Sequence, residues 1–244
     1  INIKRFLKRV DGVRRTDFEE IRHLPLFDDM SDESFGRLVR GAYVQTFPPA
    51  IELISEGDSA DFLHIVLDGM VELFASWNRR ETTMATLGPL ATFILAATIR
   101  DAPYLMSART LEKTRIVLLP SEDVRTVFAT DNAFARSVVA ELATCYRTVV
   151  KNSKDLRLRN SIERLANYIL RHLDTADGGK GFVLPIEKRR LAAYLGMTPE
   201  NLSRAIRTLG QYGVEVDGNR VTITDRADLE RLAKPTPLID DPGH

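Results

Sequence analysis

The chain has 244 residues, 34 Lys and Arg balanced by 34 Asp and Glu, 44% hydrophobic residues and 1 cysteine. Length and apolar content imply two globular domains. The zero net charge excludes a chain-wide electrostatic pull toward nucleic acid or an anionic membrane. A lone cysteine excludes an intramolecular disulfide and suits a reducing cytoplasm. No apolar run approaches the roughly 18 residues of a membrane span, and no secretory signal is visible. The chain starts at Ile1, so a few further residues are expected ahead of it.

Residues 1–20 mix charge with Ile3, Phe6, Leu7, Val10 and Phe18 and predict a short helix or arm. Ser31, followed by Asp32 and Glu33, marks a helix start, with the acids favourably placed in the first turn. From Tyr43 to Leu119 the apolar period changes from 3.6 to 2. Short β-type runs at 44–47, 51–55, 62–67, 70–76, 82–87, 107–110 and 115–119 are separated by turn residues such as Pro48–Pro49 and Asp68–Gly69. Many short, regularly spaced strands predict a small antiparallel barrel or jelly roll, able to enclose a small ligand or only its own side chains.

Residues 121–159 read as a long helix. Ala135, Val138, Leu142, Cys145, Val149, Asn152 and Leu156 alternate steps of three and four, the seam of a coiled coil, and predict a homodimer interface with Asn152 fixing register. A further amphipathic helix is expected over 161–173, then a loop over 174–181 and, at the C-terminus, a flexible tail over 235–244.

Residues 184–224 carry the densest signal. Leu191, Ala192 and Leu195 mark one helix, which Gly196 ends because a sharp turn needs the left-handed conformation. Thr198 reads as an N-cap and Pro199 as the first residue of a second helix, which buries Leu202, Ile206 and Leu209 and turns Glu200, Ser203, Arg204 and Arg207 outward. Two β-runs flanking Asp217–Gly218–Asn219 form a hairpin. Helix, turn, helix and hairpin make a winged helix-turn-helix, whose second helix enters the DNA major groove. Arg204 can give two hydrogen bonds to guanine, and Glu200 can accept from cytosine. Lys188, Arg189, Arg190, Thr198 and Arg207 are placed for phosphates. Residues 159–234 hold 13 Lys and Arg against 10 Asp and Glu, so the DNA case rests on the motif and not on bulk charge.

A β-barrel, a dimer helix and a winged helix-turn-helix, in that order, resemble the Crp/Fnr family of bacterial transcription regulators. The pieces that carry the resemblance are I-S-E-G-D at 54–58, V-L-D-G-M-V-E-L-F at 66–74 and L-G-M-T-P-E-N-L-S-R at 195–204. The resemblance implies an α+β chain: a cyclic-nucleotide-binding-like jelly roll with its arm (1–120), a dimerisation helix (121–159), a winged helix-turn-helix (160–234) and the tail. It further implies palindromic sites with TTGAT-like halves read by Glu200, Ser203 and Arg204, a cytoplasmic homodimer, contact with RNA polymerase, and no enzymatic activity. No nucleophile motif, phosphate-cradling glycine loop or metal spacing argues for an enzyme.

The effector position departs from the family pattern. Met106, followed by Ser107 and Ala108, stands where cyclic-AMP-binding members carry arginine, and Ala96 stands near their glutamate. Phe93, Ile94, Leu95 and Leu105 add an apolar lining, and Val149 and Val150 replace the polar pair that meets adenine. A buried cyclic phosphate would lack a guanidinium partner, so cyclic AMP is not expected. An iron–sulfur cluster is not expected either, because Cys145 is the only cysteine. Haem ligation through His64 or His23, a redox role for Cys145, and a sensor module that contacts protein instead of DNA are the alternatives. His172 and His244 read as surface positions, and Trp77 as a surface aromatic or partner contact.

Overall fold

In the computed structural model, which describes residues 15–78, 80–175 and 180–241, the chain divides into two units between Cys145 and Tyr146. The first begins with α1 (Arg15–Arg22) and α2 (Asp32–Arg40). The rest of the expected N-terminal arm, and His244, lie outside the described residues. Strands β1 (Tyr43–Phe47), β2 (Glu52–Ile54), β3 (Phe62–Asp68), β4 (Val71–Trp77) and β5 (Arg80–Leu87) follow. Next come β6 (Thr92–Phe93), α3 (Leu95–Arg100), β7 (Ser107–Thr110) and β8 (Thr114–Pro120). The strands form two antiparallel 4-stranded sheets, β1-β8-β3-β6 and β2-β7-β4-β5. The sheets do not close on each other, so the jelly roll is found and the closed barrel is not. Sequence alone missed β6 and α3, which are too short to show a period.

Alternation along β3 and β8 creates two cores. Leu63, Ile65, Leu67, Val117 and Leu119 face the helices, where they meet Phe27, Leu38, Val124 and Phe134. Val66, Ile116 and Leu118 face the other sheet, where they meet Leu53, Val71, Leu73 and Ala108. A strand buried on both faces reads as a continuous apolar run, and Phe62–Asp68 does so apart from His64 and the terminal Asp68.

The expected helix over 121–159 is interrupted. α4 (Ser121–Thr130) ends at Asp131, and α5 (Asn132–Leu158) starts beyond it. The Asp131 carboxylate accepts from the backbone N–H groups of Phe134 at 2.9 Å and Ala133 at 3.0 Å, capping α5. It also accepts from the Ser31 N–H and hydroxyl, so one side chain joins the starts of α2 and α5. These bonds, led by the Phe134 N–H, hold its carboxyl well below the usual range.

The second unit contains the end of α5, α6 (Ser161–Thr175), β9 (Gly181–Val183), α7 (Lys188–Tyr194) and α8 (Pro199–Leu209). Strands β10 (Val214–Asp217) and β11 (Arg220–Ile223), then α9 (Arg226–Ala233) and α10 (Pro237–Asp240), complete it. The predicted hairpin is β10–β11, and β9 adds a third strand beside β11. β9 escaped the sequence reading because its three residues lie against a Gly-rich loop. Leu165, Ala166, Ile169 and Leu170 of α6 are buried with Leu202, Ala205 and Leu209 of α8 and Leu229 of α9. Asn167 of α6 donates to the Ala233 carbonyl at 2.7 Å, tying α6 to α9. His172 is not a surface position: it is half-buried, tilted against the Tyr168 ring at 4.1 Å and stacked on Phe182 at 5.4 Å, and burial lowers its pKa. The C-terminal stretch expected as a flexible tail includes α10, which ion pairs hold to Arg159, just after α5, and to Arg171 of α6.

Candidate nucleic-acid interface and effector site

The turn between α7 and α8 has the geometry its residues dictate. Gly196 adopts φ +63, which an L side chain rarely tolerates. Thr198 is extended, and its hydroxyl accepts from the Asn201 N–H, with Pro199 in the first turn. Glu200, Ser203, Arg204 and Arg207 follow at spacings of three, one and three, so they share one face of α8, and all four are exposed. The opposite face is buried through Leu202, Ala205 and Leu209, with Ile206 only half-buried.

The side chains on this face are pre-set. The Arg204 guanidinium donates to the Asn201 side-chain oxygen, one turn back. The Ser203 hydroxyl donates to the Pro199 carbonyl at 3.0 Å, leaving its lone pairs outward. Glu200's own backbone N–H, then the Thr198 hydroxyl and Arg204, lower its carboxyl pKa, so it is an acceptor at neutral pH. Lys188 and Arg189 are exposed at the start of α7, Arg190 is half-buried, and Thr198 and Arg207 are exposed. Asn201 is the site residue that sequence reasoning missed; its signal was its place one helical turn before Arg204.

Within the first unit the expected effector lining does not come together as a set. Ile94 takes φ +66, unusual for a β-branched residue, and starts the six-residue α3. Side chains diverge sharply from there. Phe93, Ile94 and Met106 join the core between the sheets, whereas Leu95 turns to the helix-facing core. Ala96 is exposed, and Leu105 is 83% exposed. Ser107 accepts from the Glu56 N–H at 2.9 Å. Val149 and Val150 lie in the second unit on an exposed stretch of α5.

Met106 packs against the apolar core between the sheets. Arg109 alternates away from Ala108, onto the outer face of its sheet. There it pairs with Glu72 at 2.7 Å and Glu81 at 3.0 Å and covers the Phe74 ring. Glu72, 1% exposed, also accepts from Thr83 at 2.6 Å.

His64 lies in the core between the sheets, 1% exposed and stacked on Phe93 with centroids 4.9 Å apart. Neither ring nitrogen has a hydrogen-bond partner. Burial lowers its pKa to about 4, and the Phe62 backbone opposes this without reaching hydrogen-bond geometry. His23 is exposed. Among the described residues no group of His, Cys, Asp and Glu is arranged to hold a metal ion. No described helix is long and apolar enough to cross a membrane.

The expected dimer seam divides. Val138 is 0% exposed inside its own core, Leu142 packs there too, and Ala135 is half-buried. Val138 is therefore not available to a partner. Cys145, Val149 and Leu156 are exposed, and Asn152 is half-buried. Partial shielding of the Cys145 thiol, with Glu141 beside it, raises its pKa and disfavours the reactive thiolate. Trp77 is 83% exposed.

Residues 163–232 match the family model of a Crp-like helix-turn-helix domain, and residues 44–131 that of a cyclic nucleotide-binding domain. Over 211 residues the chain is 26% identical to a cyclic AMP receptor protein of Thermus thermophilus, spanning 86% of this chain and 96% of that one. In fold it is similar to FixK2 of Bradyrhizobium japonicum, with TM-score 0.69, 22% identity, and 80% of this chain and 98% of that one covered. It is also similar in fold to a CooA variant of Carboxydothermus hydrogenoformans, with TM-score 0.70, 17% identity, and coverages of 92% and 98%.

Proposed function

The chain belongs to the Crp/Fnr family of DNA-binding transcription regulators, and we propose that it acts as a cytoplasmic homodimer on palindromes of TTGAT-like half-sites, under an effector other than cyclic AMP or none. The observation that carries this reading is the exposed face of α8, where Glu200, Ser203 and Arg204 stand together behind the Thr198 cap. Arg204 addresses guanine and Glu200 cytosine, while Lys188, Arg189, Arg190, Thr198 and Arg207 take phosphates. A two-fold dimer presents two such helices, which matches an inverted repeat. RNA polymerase is the partner this role calls for.

The Thermus relative is a cyclic AMP receptor protein, yet the residues here do not fit a cyclic phosphate. Met106 offers no charge, and Arg109 is engaged by Glu72 and Glu81 on the outer face of its sheet. A buried phosphate without a guanidinium is costly. Haem at His64 would require the Phe93 ring to move aside. The neutral His64 ring has free nitrogens, but Phe93 covers it and it is 1% exposed.

The test is fluorescence anisotropy of the full chain on a TTGAT-N4-ATCAA duplex and on a scrambled one, at two salt concentrations, with Arg204→Ala alongside. The expected result is tight binding to the first duplex only, weakened at least about tenfold by Arg204→Ala and steeply by salt. Equal binding to both duplexes overturns the half-site. Calorimetric titration with cyclic AMP is expected to show no heat; micromolar binding overturns the effector reading.

A further inference from the structure

The polar contacts of the second unit converge on its last described residues. The Asp240 side chain is 11% exposed, and its carboxylate takes two nitrogens of the Arg159 guanidinium, at 2.8 and 2.6 Å. It also takes Nη1 of Arg171 at 2.8 Å and the Thr236 N–H at 2.8 Å. Arg159, 7% exposed, pairs in addition with Asp155 at 2.8 Å. From α5, Lys151 donates to the Asp241 carbonyl and Lys154 to the Leu238 carbonyl at 3.3 Å. α10 itself has no buried residue, so charge and not apolar packing holds this segment in place.

What it holds is the corner between α5 and α6, and that corner leads to the reading helix. The Arg159 carbonyl accepts from Arg164 at 2.6 Å. The same Arg164 guanidinium donates to the Leu195 carbonyl at 2.8 Å and the Gly196 carbonyl at 3.4 Å. Those carbonyls form the turn that runs into Thr198, the cap of α8. Leu156 closes the other side: a Cβ on Gly196 would come within 2.8 Å of its Cδ2.

We propose that residues 236–241 form a strap that positions the recognition helix, with Asp240 as its clasp, acting through Arg159 and Arg164 on the turn before α8. The proposal rests on the DNA-reading role of α8. Asp240 is a positioning residue and touches no DNA. Removing one partner of a nearly buried ion pair leaves the other charge uncompensated, so the corner loosens. A strap that instead masked Lys151, Lys154, Arg159 and Arg171 from phosphates would have the opposite effect on affinity.

The test uses the full chain, Asp240→Asn, a chain ended after Lys234, and Asp228→Asn as a control in the exposed Arg231–Asp228 pair. Amide hydrogen exchange is followed over residues 156–164 and 195–198, and binding is measured to the TTGAT-N4-ATCAA and scrambled duplexes. Expected in Asp240→Asn and in the shortened chain is exchange about tenfold faster at both segments, with preference for the TTGAT duplex reduced about tenfold. The control is expected to match the native chain. Unchanged exchange overturns the strap. Faster exchange with unchanged preference makes it a brace for stability and overturns the positioning role. Increased affinity for both duplexes makes it a mask and overturns the proposal. If the native chain shows no preference between duplexes, the DNA reading has failed and the positioning role falls with it, while the exchange data still show whether the strap braces the corner.

Discussion

Single side chains in this protein carry more than their place in the sequence suggests. Asp131 caps α5 and binds the cap of α2 at once. Arg204 is steadied by Asn201, which would lower the entropy lost in the proposed docking of its guanidinium on a base edge. His64 is the outlier, a buried imidazole with no hydrogen-bond partner. Its folded pKa of about 4 lies below the ordinary imidazole value of 6.5. Between those values the unfolded chain binds more protons, so stability is full above pH 6.5 and is lost as pH falls toward 4. Chemical denaturation at pH 7 and pH 4.5 is expected to show His64→Leu losing about 2 kcal/mol less than the native chain. Parallel losses would mean that His64 is protonated within the fold.

At the scale of elements, the recognition helix is placed by its ends and the wing by close backbone approach. Thr198 and Gly196 set where α8 begins. The wing depends on Gly181, where a Cβ would lie 2.2 Å from the Val221 carbonyl oxygen. Backbone cannot yield as a flexible side chain does, so Gly181→Ala is expected to detach β9 from β11. The expected cost is about 2 kcal/mol in the second unit, read as a lower melting temperature and as faster amide exchange at Val221. Native-like stability of this variant would show that the strand pair shifts freely. Gly196→Ala meets only the tip of Leu156, so its penalty comes from φ.

For the whole molecule, the proposed dimer rests on α5. Its first turns are buried by their own unit through Phe134 and Val138. Beyond them Tyr146 is 70% exposed, Val149 65% and Leu158 71%, apolar surface of the kind that marks an interface. The dimer contact is therefore expected from about Cys145 onward instead of along the full heptad seam. Val149→Asp is expected to sediment as a monomer with an unchanged far-UV spectrum, and to lose DNA binding because one recognition helix reads only half a palindrome. A Val149→Asp dimer with native affinity would place the interface elsewhere.

The sequence by itself determined the elements whose signals are local. The winged helix-turn-helix was legible because the glycine, cap, proline and hairpin residues each act on their own backbone, and the outward face of α8 follows from its 3.6-residue period. Most of the jelly-roll strands were legible for the same reason. Tertiary structure alone decided whatever depended on partners distant in the chain. Whether the strands closed into a barrel turned on sheet edges, and β9 exists only because β11 lies beside Gly181. The burial of Val138 turned on the helix-facing core of the first unit extending over the start of α5. The C-terminal residues looked like a tail because they are polar and rich in proline. Residues 236–241 are held because Asp240 meets Arg159 and Arg171, 81 and 69 residues away, and charges that far apart in sequence leave no periodic trace.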